Sequence, residues 1–241
     1  MLPIFTDDEA LYQGEWVTLD GKDVKDGRGV QIWANGSRYD GLWKEGMAHG
    51  RGRLVHTDGD VYMGNWENDK AHGHGIQKNH NGSCYEGNWE DDQQHGDGKE
   101  SWPDGSTYVG EYACGMKNGK GKLCWADSSS YTGDFESNNL HGEGVYRWTD
   151  GREFTGTYVN NIMEGHGVFT WQDGRKYVGG YVNDKKSGHG TFEWPDGRKY
   201  IGAWLDGKQN GEGNYLDKKG NERRGTWVDG KRTNWLDTQN S

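Results

Sequence analysis

The sequence predicts an all-β protein, an elongated single-layer twisted antiparallel sheet of tandem β-hairpins. A Tyr-x-Gly-x-Trp pattern returns along the chain, a Gly-x-Gly pair follows it, and an Asp-Gly or Asn-Gly turn closes most copies. The pattern starts at Tyr12, Tyr39, Tyr62, Tyr85, Tyr108, Tyr131, Phe154, Tyr177, Tyr200 and, degenerately, Arg223; after a first interval of 27, every interval is 23 residues. A fixed period of this length marks a stacked repeat, in which each unit buries its apolar face only against its neighbours.

In chain order, residues 1–11 form an N-terminal extension with no basic segment and only a four-residue apolar patch, so no signal peptide is expected. Residues 12–230 hold ten tandem repeats. The first carries four extra residues around "VTLDGKDVKD". Within a copy, "VYMGNW" (61–66) alternates, which places Tyr62, Gly64 and Trp66 on one strand face. The glycine pair is expected to begin a second strand such as "GVFTW" (167–171), with Gly167, Phe169 and Trp171 on one face. Asp-Gly pairs such as Asp58-Gly59, Asp104-Gly105 and Asp173-Gly174 then turn the chain into the next copy, giving about 18 to 20 strands. Glycines facing the rings leave room for an aromatic of a neighbouring strand to lie flat on the backbone. The last copy lacks its leading ring, has Arg223 there, and reads as a cap before the tail 231–241.

Composition agrees with this architecture. Only 30% of residues are hydrophobic and the net charge is −10, values that usually go with disorder, yet the chain holds 13 Trp, 13 Tyr and 5 Phe. Its 42 glycines lack the three-residue period of collagen. No stretch is apolar enough for a membrane-spanning helix. Cys84, Cys114 and Cys124 form no CxxC pair and read as free thiols of a reducing cytosol. The sequons Asn35-Gly36-Ser37 and Asn81-Gly82-Ser83 stand where other copies carry Asp-Gly, and read as turns.

These residues resemble the MORN (membrane occupation and recognition nexus) repeat family, whose pattern is similar to Tyr-x-Gly-x-Trp, Gly-x-Gly and an Asp-Gly turn over about 23 residues. The resemblance covers residues 12 to about 230 and shows no appended kinase, SET or exchange-factor domain. It implies a stand-alone scaffold, similar to the radial-spoke-type arrays of cilia and flagella, that binds other proteins through an aromatic groove. It implies a cytoplasmic, cytoskeletal location, in a cilium or flagellum (an axoneme). Phosphoinositide binding has also been proposed for such arrays. The late tryptophan of the second strand is present as Trp33, Trp102, Trp125, Trp148, Trp171 and Trp194, but His56, Asn79 and Asp217 replace it elsewhere, so the groove of copies two and three is more polar.

No chemistry for catalysis is apparent, and the chain reads as a non-enzyme without cofactor. His49, His72, His95 and His141 occupy equal places in their copies, but equivalent residues two strands apart lie about 9–10 Å from each other, too far to share one zinc ion. The slot of His74, His166 and His189 is filled elsewhere by Arg51, Asp97, Lys120 and Glu143, and reads as solvated. Gly-x-Gly here precedes a strand and lacks the third glycine and helix of a dinucleotide loop. The carboxylates are scattered, not paired as acid and base.

Binding is the remaining function class. The expected groove for a helix or extended peptide is lined by Tyr112, Trp125, Phe135, Tyr146, Trp148, Tyr158, Phe169, Trp171, Tyr181, Phe192 and Trp194, since a one-layer sheet leaves one side of its rings uncovered. Charge is uneven: residues 1–120 carry net −9 and residues 121–241 net −1. Arg175, Lys176, Lys185, Lys186, Arg198 and Lys199 are the candidate contacts for an anionic group, and a peripheral adaptor for phosphoinositides is the alternative reading. Nucleic acid is disfavoured because no dominant basic footprint exists, and the acidic half disfavours a membrane surface. The exposed strand edge at an array end, near Trp227 and Trp235, is a candidate for homo-oligomer contact.

Overall fold

A computed structural model describes residues 4–6 and 9–236. These residues form 21 strands and no helix. Two compact units divide the chain, Met1–Gly119 and Lys120–Ser241, and the division falls within the strand Met116–Cys124.

In the first unit, Ile4–Phe5 pairs with Leu11–Leu19, and each later strand through Thr107–Ala113 pairs antiparallel with its chain neighbours in one open sheet. The second unit repeats the plan from Ser130–Glu136 to Lys231–Trp235. Each copy between the two terminal ones supplies a seven-residue leading strand, such as Val61–Glu67, and a nine-residue return strand, such as Lys70–Lys78. The return strand therefore begins three residues before the glycine pair rather than at it. The pair sits inside the strand and bends it: Gly64 faces Gly75, but Trp66 already faces Ala71, so His72, Gly73 and His74 bulge out. The first glycine of the pair is needed for that bulge, since Gly73 has φ +62°.

The second glycine of the pair has a different task. Tyr62 lies across the facing pair Gly64 and Gly75, and a Cβ on Gly75 would meet the Tyr62 Oη at 2.3 Å. The ring thus covers a glycine of its own strand as well as one of the neighbouring strand. Its hydroxyl donates to the Asn65 carbonyl at 2.9 Å. The same bond to the residue three places on recurs at Tyr12, Tyr39, Tyr85, Tyr108, Tyr131, Tyr177 and Tyr200.

The second ring of each leading strand stands edge-on to the first. Trp66 meets Tyr62 at 5.1 Å and also Tyr39 of the preceding copy at 5.2 Å, both T-shaped. In the second unit Tyr131, Tyr158, Phe154, Tyr181, Tyr177 and Trp204 continue the same edge-to-face series. This inner layer is the core, and its leading rings are buried although no second layer covers the sheet.

The turns differ from the expected assignment. Asp58-Gly59 belongs to a three-residue loop in which the Gly59 amide donates to the His56 carbonyl and only Gly59 has positive φ, a type I turn with a glycine bulge. The two-residue turns lie inside each copy, at Asp20-Gly21, Glu45-Gly46, Asn68-Asp69, Asp91-Asp92, Cys114-Gly115 and their equivalents, with positive φ at both positions. They are also linked in series. The Asp69 amide donates to the Ala48 carbonyl at 3.0 Å, and the Asp69 carboxylate accepts from the Ala48 amide at 2.6 Å. Asp92 on Ala71, Asn161 on Leu140 and Asp184 on Met163 repeat the exchange.

Candidate functional site

The second unit carries an outer layer of rings above this core. Return-strand residues Tyr146, Phe169, Phe192 and Tyr215 face the leading rings Tyr131, Phe154, Tyr177 and Tyr200 of their own copies across the ladder. A tryptophan then opens the loop: the Trp148 amide donates to the Arg152 carbonyl at 2.9 Å, and the Gly151 amide to the Trp148 carbonyl at 3.1 Å. Trp171 and Trp194 hold the same place in the next two copies.

Together these rings form an unbroken row. Trp125 lies 5.1 Å from Tyr146, Tyr146 4.4 Å from Trp148, and Trp148 5.3 Å from Phe169. Phe169 lies 4.4 Å from Trp171, Trp171 5.6 Å from Phe192, and Phe192 4.7 Å from Trp194. Looser contacts of 6.4 and 6.3 Å extend the row through Tyr215 to Trp235.

Of the eleven groove residues expected from sequence, the structure brings seven into this row. Trp125, Tyr146, Trp148, Trp171 and Trp194 are half-buried, while Phe169 and Phe192 are 9% and 8% exposed between them. Tyr112, Phe135, Tyr158 and Tyr181 lie in the inner layer, each 3% exposed. Alternation assigns all eleven to one face and says nothing about depth. In the first unit the row is interrupted: Gln77 donates to Asn79 at 2.9 Å, and Asn79 to Ser83 at 2.8 Å, where rings stand in the second unit.

Arginines border the row through the Trp-x-Asp-Gly-Arg loop. Arg175 Nε donates to both Asp173 oxygens, at 3.0 and 2.8 Å, with its guanidinium 5.2 Å from the Trp171 ring. Arg198 does the same with Asp196 and Trp194, and Arg152 with Asp150 and Trp148. Sequence reasoning missed Arg152, whose place in "TDGR" matches the other two. The Arg198 hydrogen bond holds the Asp196 carboxyl down at about 2, helped by Lys218. Lys185 pairs with Asp206 at 3.3 Å and Lys199 with Glu193 at 2.8 Å. Lys176 and Lys186 have no ion-pair partner among the described residues. Burial, with the Arg175 charge behind it, pushes the Lys186 ammonium down to about 8.

Three of the four aligned histidines stand beside a carboxylate. His72, His95 and His141 lie 3.5, 3.2 and 3.2 Å from Glu67, Glu90 and Glu136 of their own hairpins. Among the described residues no three His, Cys, Asp or Glu side chains gather as metal ligands. Asn35 and Asn81 accept the Ser37 and Ser83 amides at 2.9 Å, as turn residues do.

Comparison with known proteins gives a family and a fold. The MORN repeat model matches residues 21–38, 39–61, 62–84, 85–107, 108–130, 131–151, 154–174, 177–197 and 200–222. No curated protein sequence matches the chain. Among solved structures, the TCP10 domain of Danio rerio CPAP, in complex with a peptide of Danio rerio STIL, is 14% identical. It covers 92% of this chain and 98% of its own with a TM-score of 0.51, a likeness of fold. The TCP domain of Drosophila melanogaster SAS-4, in complex with a proline-rich motif of Ana2, is also 14% identical, over 68% of this chain and 88% of its own, with a TM-score of 0.40.

Proposed function

This chain belongs to the MORN repeat family, and from that premise we propose that it is a non-catalytic scaffold that holds an extended peptide of another protein against the second unit's aromatic row. The observation that carries this reading is the row itself: five half-buried rings, Trp125, Tyr146, Trp148, Trp171 and Trp194, lie above the buried leading rings. Aromatic rings set beside arginines are the residues from which binding hot spots are built. The zebrafish CPAP domain, which shares the fold, is described with a peptide partner, the class of occupant proposed here. The scaffold comprises ten copies over residues 12–230, with 1–11 before and 231–241 after. The hairpins Leu11–Leu19 with Lys22–Ile32, and Glu222–Val228 with Lys231–Trp235, support the two terminal copies, the last of which takes its return strand from the segment expected as tail. Its place is a cytoskeletal assembly of the ciliary or flagellar kind, a reading supported by the family resemblance.

The Trp148→Ala, Trp171→Ala double variant tests this. Affinity capture with wild type and variant side by side is expected to lose its partners in the variant by about tenfold or more, with the circular dichroism of the sheet retained. Equal capture by both proteins would remove the groove. The phosphoinositide alternative is weakened by the carboxylates that already hold Arg175, Lys185, Arg198 and Lys199. Sedimentation with phosphoinositide vesicles at physiological salt is expected to leave the protein in the supernatant.

A further inference from the structure

Three lysines of this chain rest among aromatic rings. In the first copy, Lys25 lies 4.9 Å from the Trp43 ring and 5.6 Å from Tyr12, and its ammonium is held by Gln31. Lys117 lies 4.8 Å from Trp102, 5.2 Å from Tyr108 and 5.7 Å from Tyr112. The Glu100 carboxylate completes that cage, accepting from Lys117 at 3.1 Å and from the Tyr112 hydroxyl at 2.9 Å through the same oxygen. Lys117 and Glu100 are 16% and 18% exposed.

Three copies later, the same positions repeat the cage without the acid. Trp171, Tyr177, Tyr181 and Lys186 stand where Trp102, Tyr108, Tyr112 and Lys117 stand, each 69 residues on, and the place of Glu100 is taken by Phe169. Lys186 lies 4.8 Å from Trp171 and 5.2 Å from Tyr177, and is enclosed further by Phe192 at 5.1 Å and Trp204 at 5.3 Å. It has no carboxylate partner among the described residues. Tyr181, its direct partner across the strands, is 3% exposed, and its hydroxyl is buried with no hydrogen-bond partner. The caged cation and the buried hydroxyl belong to residues that face each other across the ladder, and both lack the acceptor that serves their counterparts. Ring faces offset part of an ammonium's desolvation, but an unmade hydrogen bond at a buried hydroxyl costs its full penalty.

We propose that this cage is the acid-reading point of the aromatic row: it takes an Asp or Glu side chain of the partner peptide, whose carboxylate pairs with the ammonium of half-buried Lys186 as Glu100 pairs with Lys117. The proposal rests on the peptide-groove reading above and adds the chemistry of the occupant. Trp171 borders the cage and continues the row towards Trp148 on one side, while Phe192 continues it towards Trp194 on the other. The peptide therefore carries its acid between apolar residues.

The test selects binders for the full chain from random linear peptides displayed on phage, then measures synthetic copies of the selected peptides by fluorescence anisotropy. The expected result is a set carrying Asp or Glu among apolar residues. Replacing that acid by Asn or Gln is expected to weaken binding at least about tenfold, Lys186→Met to weaken it equally, and the two together to add little more. Phe169→Glu, which copies the Glu100 arrangement within the chain, is expected to block the acidic peptides where Phe169→Gln does so less. Should either Phe169 variant fail to fold, Lys186→Met and the amide peptides still decide. Peptides that depend on Trp148 and Trp171 but ignore the acid-to-amide exchange would overturn the acid site and leave the groove standing. Selection of no peptide sensitive to the Trp148→Ala, Trp171→Ala double variant would overturn both. A Lys186 requirement seen only in self-association, or only for phosphoinositide vesicles, would also overturn the proposal.

Discussion

Tyr62 and Gly75 show how two residue types share one task. The tyrosine supplies buried area and a hydroxyl that reaches the Asn65 carbonyl, and the glycine leaves the space the ring occupies. A methyl group at Gly75 has no room, because Trp66 and Trp89 hold the Tyr62 ring from both sides. Gly75→Ala is expected to cost about 1–3 kcal/mol, and Tyr62→Phe about 1 kcal/mol, as Phe154 already illustrates a copy without the hydroxyl. Hydrogen exchange at the amides of Val61–Glu67 and Lys70–Lys78 would register both; unchanged protection in Gly75→Ala would refute the packing argument. Lys186 is the residue whose charge works against the fold. Its ammonium is pushed down to about 8 by burial and then by Arg175, while an unfolded lysine titrates near 10.4. Between those values the unfolded chain holds a proton that the folded chain has released, so stability rises with pH across that window. Above about pH 10 the inner tyrosines reverse the slope, since burial holds their folded pKa above that of an unfolded tyrosine. Lys186→Met is therefore expected to raise the melting midpoint at pH 7 by a few degrees and to flatten the rise between pH 8 and 10; a variant with the wild-type slope would show that another group is responsible.

At the scale of the hairpin, leading strands were legible because their signal is local: a ring, a glycine and a ring at alternate places fix both face and pairing. The turns were less so. Asp-Gly is the familiar mark of a two-residue turn, yet here Asp58-Gly59 closes a longer loop, and the two-residue turns are written as Asp20-Gly21 or Asp206-Gly207 in some copies and as Asn68-Asp69 or Asn183-Asp184 in others. The latter pairs were concealed because their second carboxylate or amide serves the preceding copy, as Asp69 serves Ala48, which favours Asp or Asn over glycine there. The expected groove suffered in the same way. Tyr158 and Trp171 share a face, but one leans on buried leading rings and the other opens a loop above them. The missing partner of Lys186 was hidden further still, since it emerges only when Phe169 is set beside Glu100 from another copy. Glu45 occupies the first place of a two-residue turn at φ 50°, where asparagine is preferred before Gly46. Glu45→Asn should stabilise the first unit by about 0.5 kcal/mol, read as a shift in its denaturation midpoint; a loss of stability would count against the turn assignment.

Across the molecule, each copy meets only its neighbours, and consecutive copies present equivalent surfaces. Removal of residues 62–84, one full period, brings Tyr39 beside Trp89 in place of Trp66, so the shortened chain is expected to fold with its sheet spectrum intact and a modestly lower melting midpoint. Removal of residues 62–73 leaves a return strand without its leading strand and should unfold the surrounding hairpins; equal tolerance of both deletions would contradict nearest-neighbour stacking. Thermal unfolding of so local a design need not be a single step, and separate probes in the two units, Trp43 and Trp204 for example, are expected to report different midpoints. The serial link between turns has a direction. Asp69 seals Ala48, and Asp92 seals Ala71, always the later copy upon the earlier. A chain leaving the ribosome would thus meet each of these clasps in the order of its making, since the residue that closes a turn is always synthesised after the turn it closes.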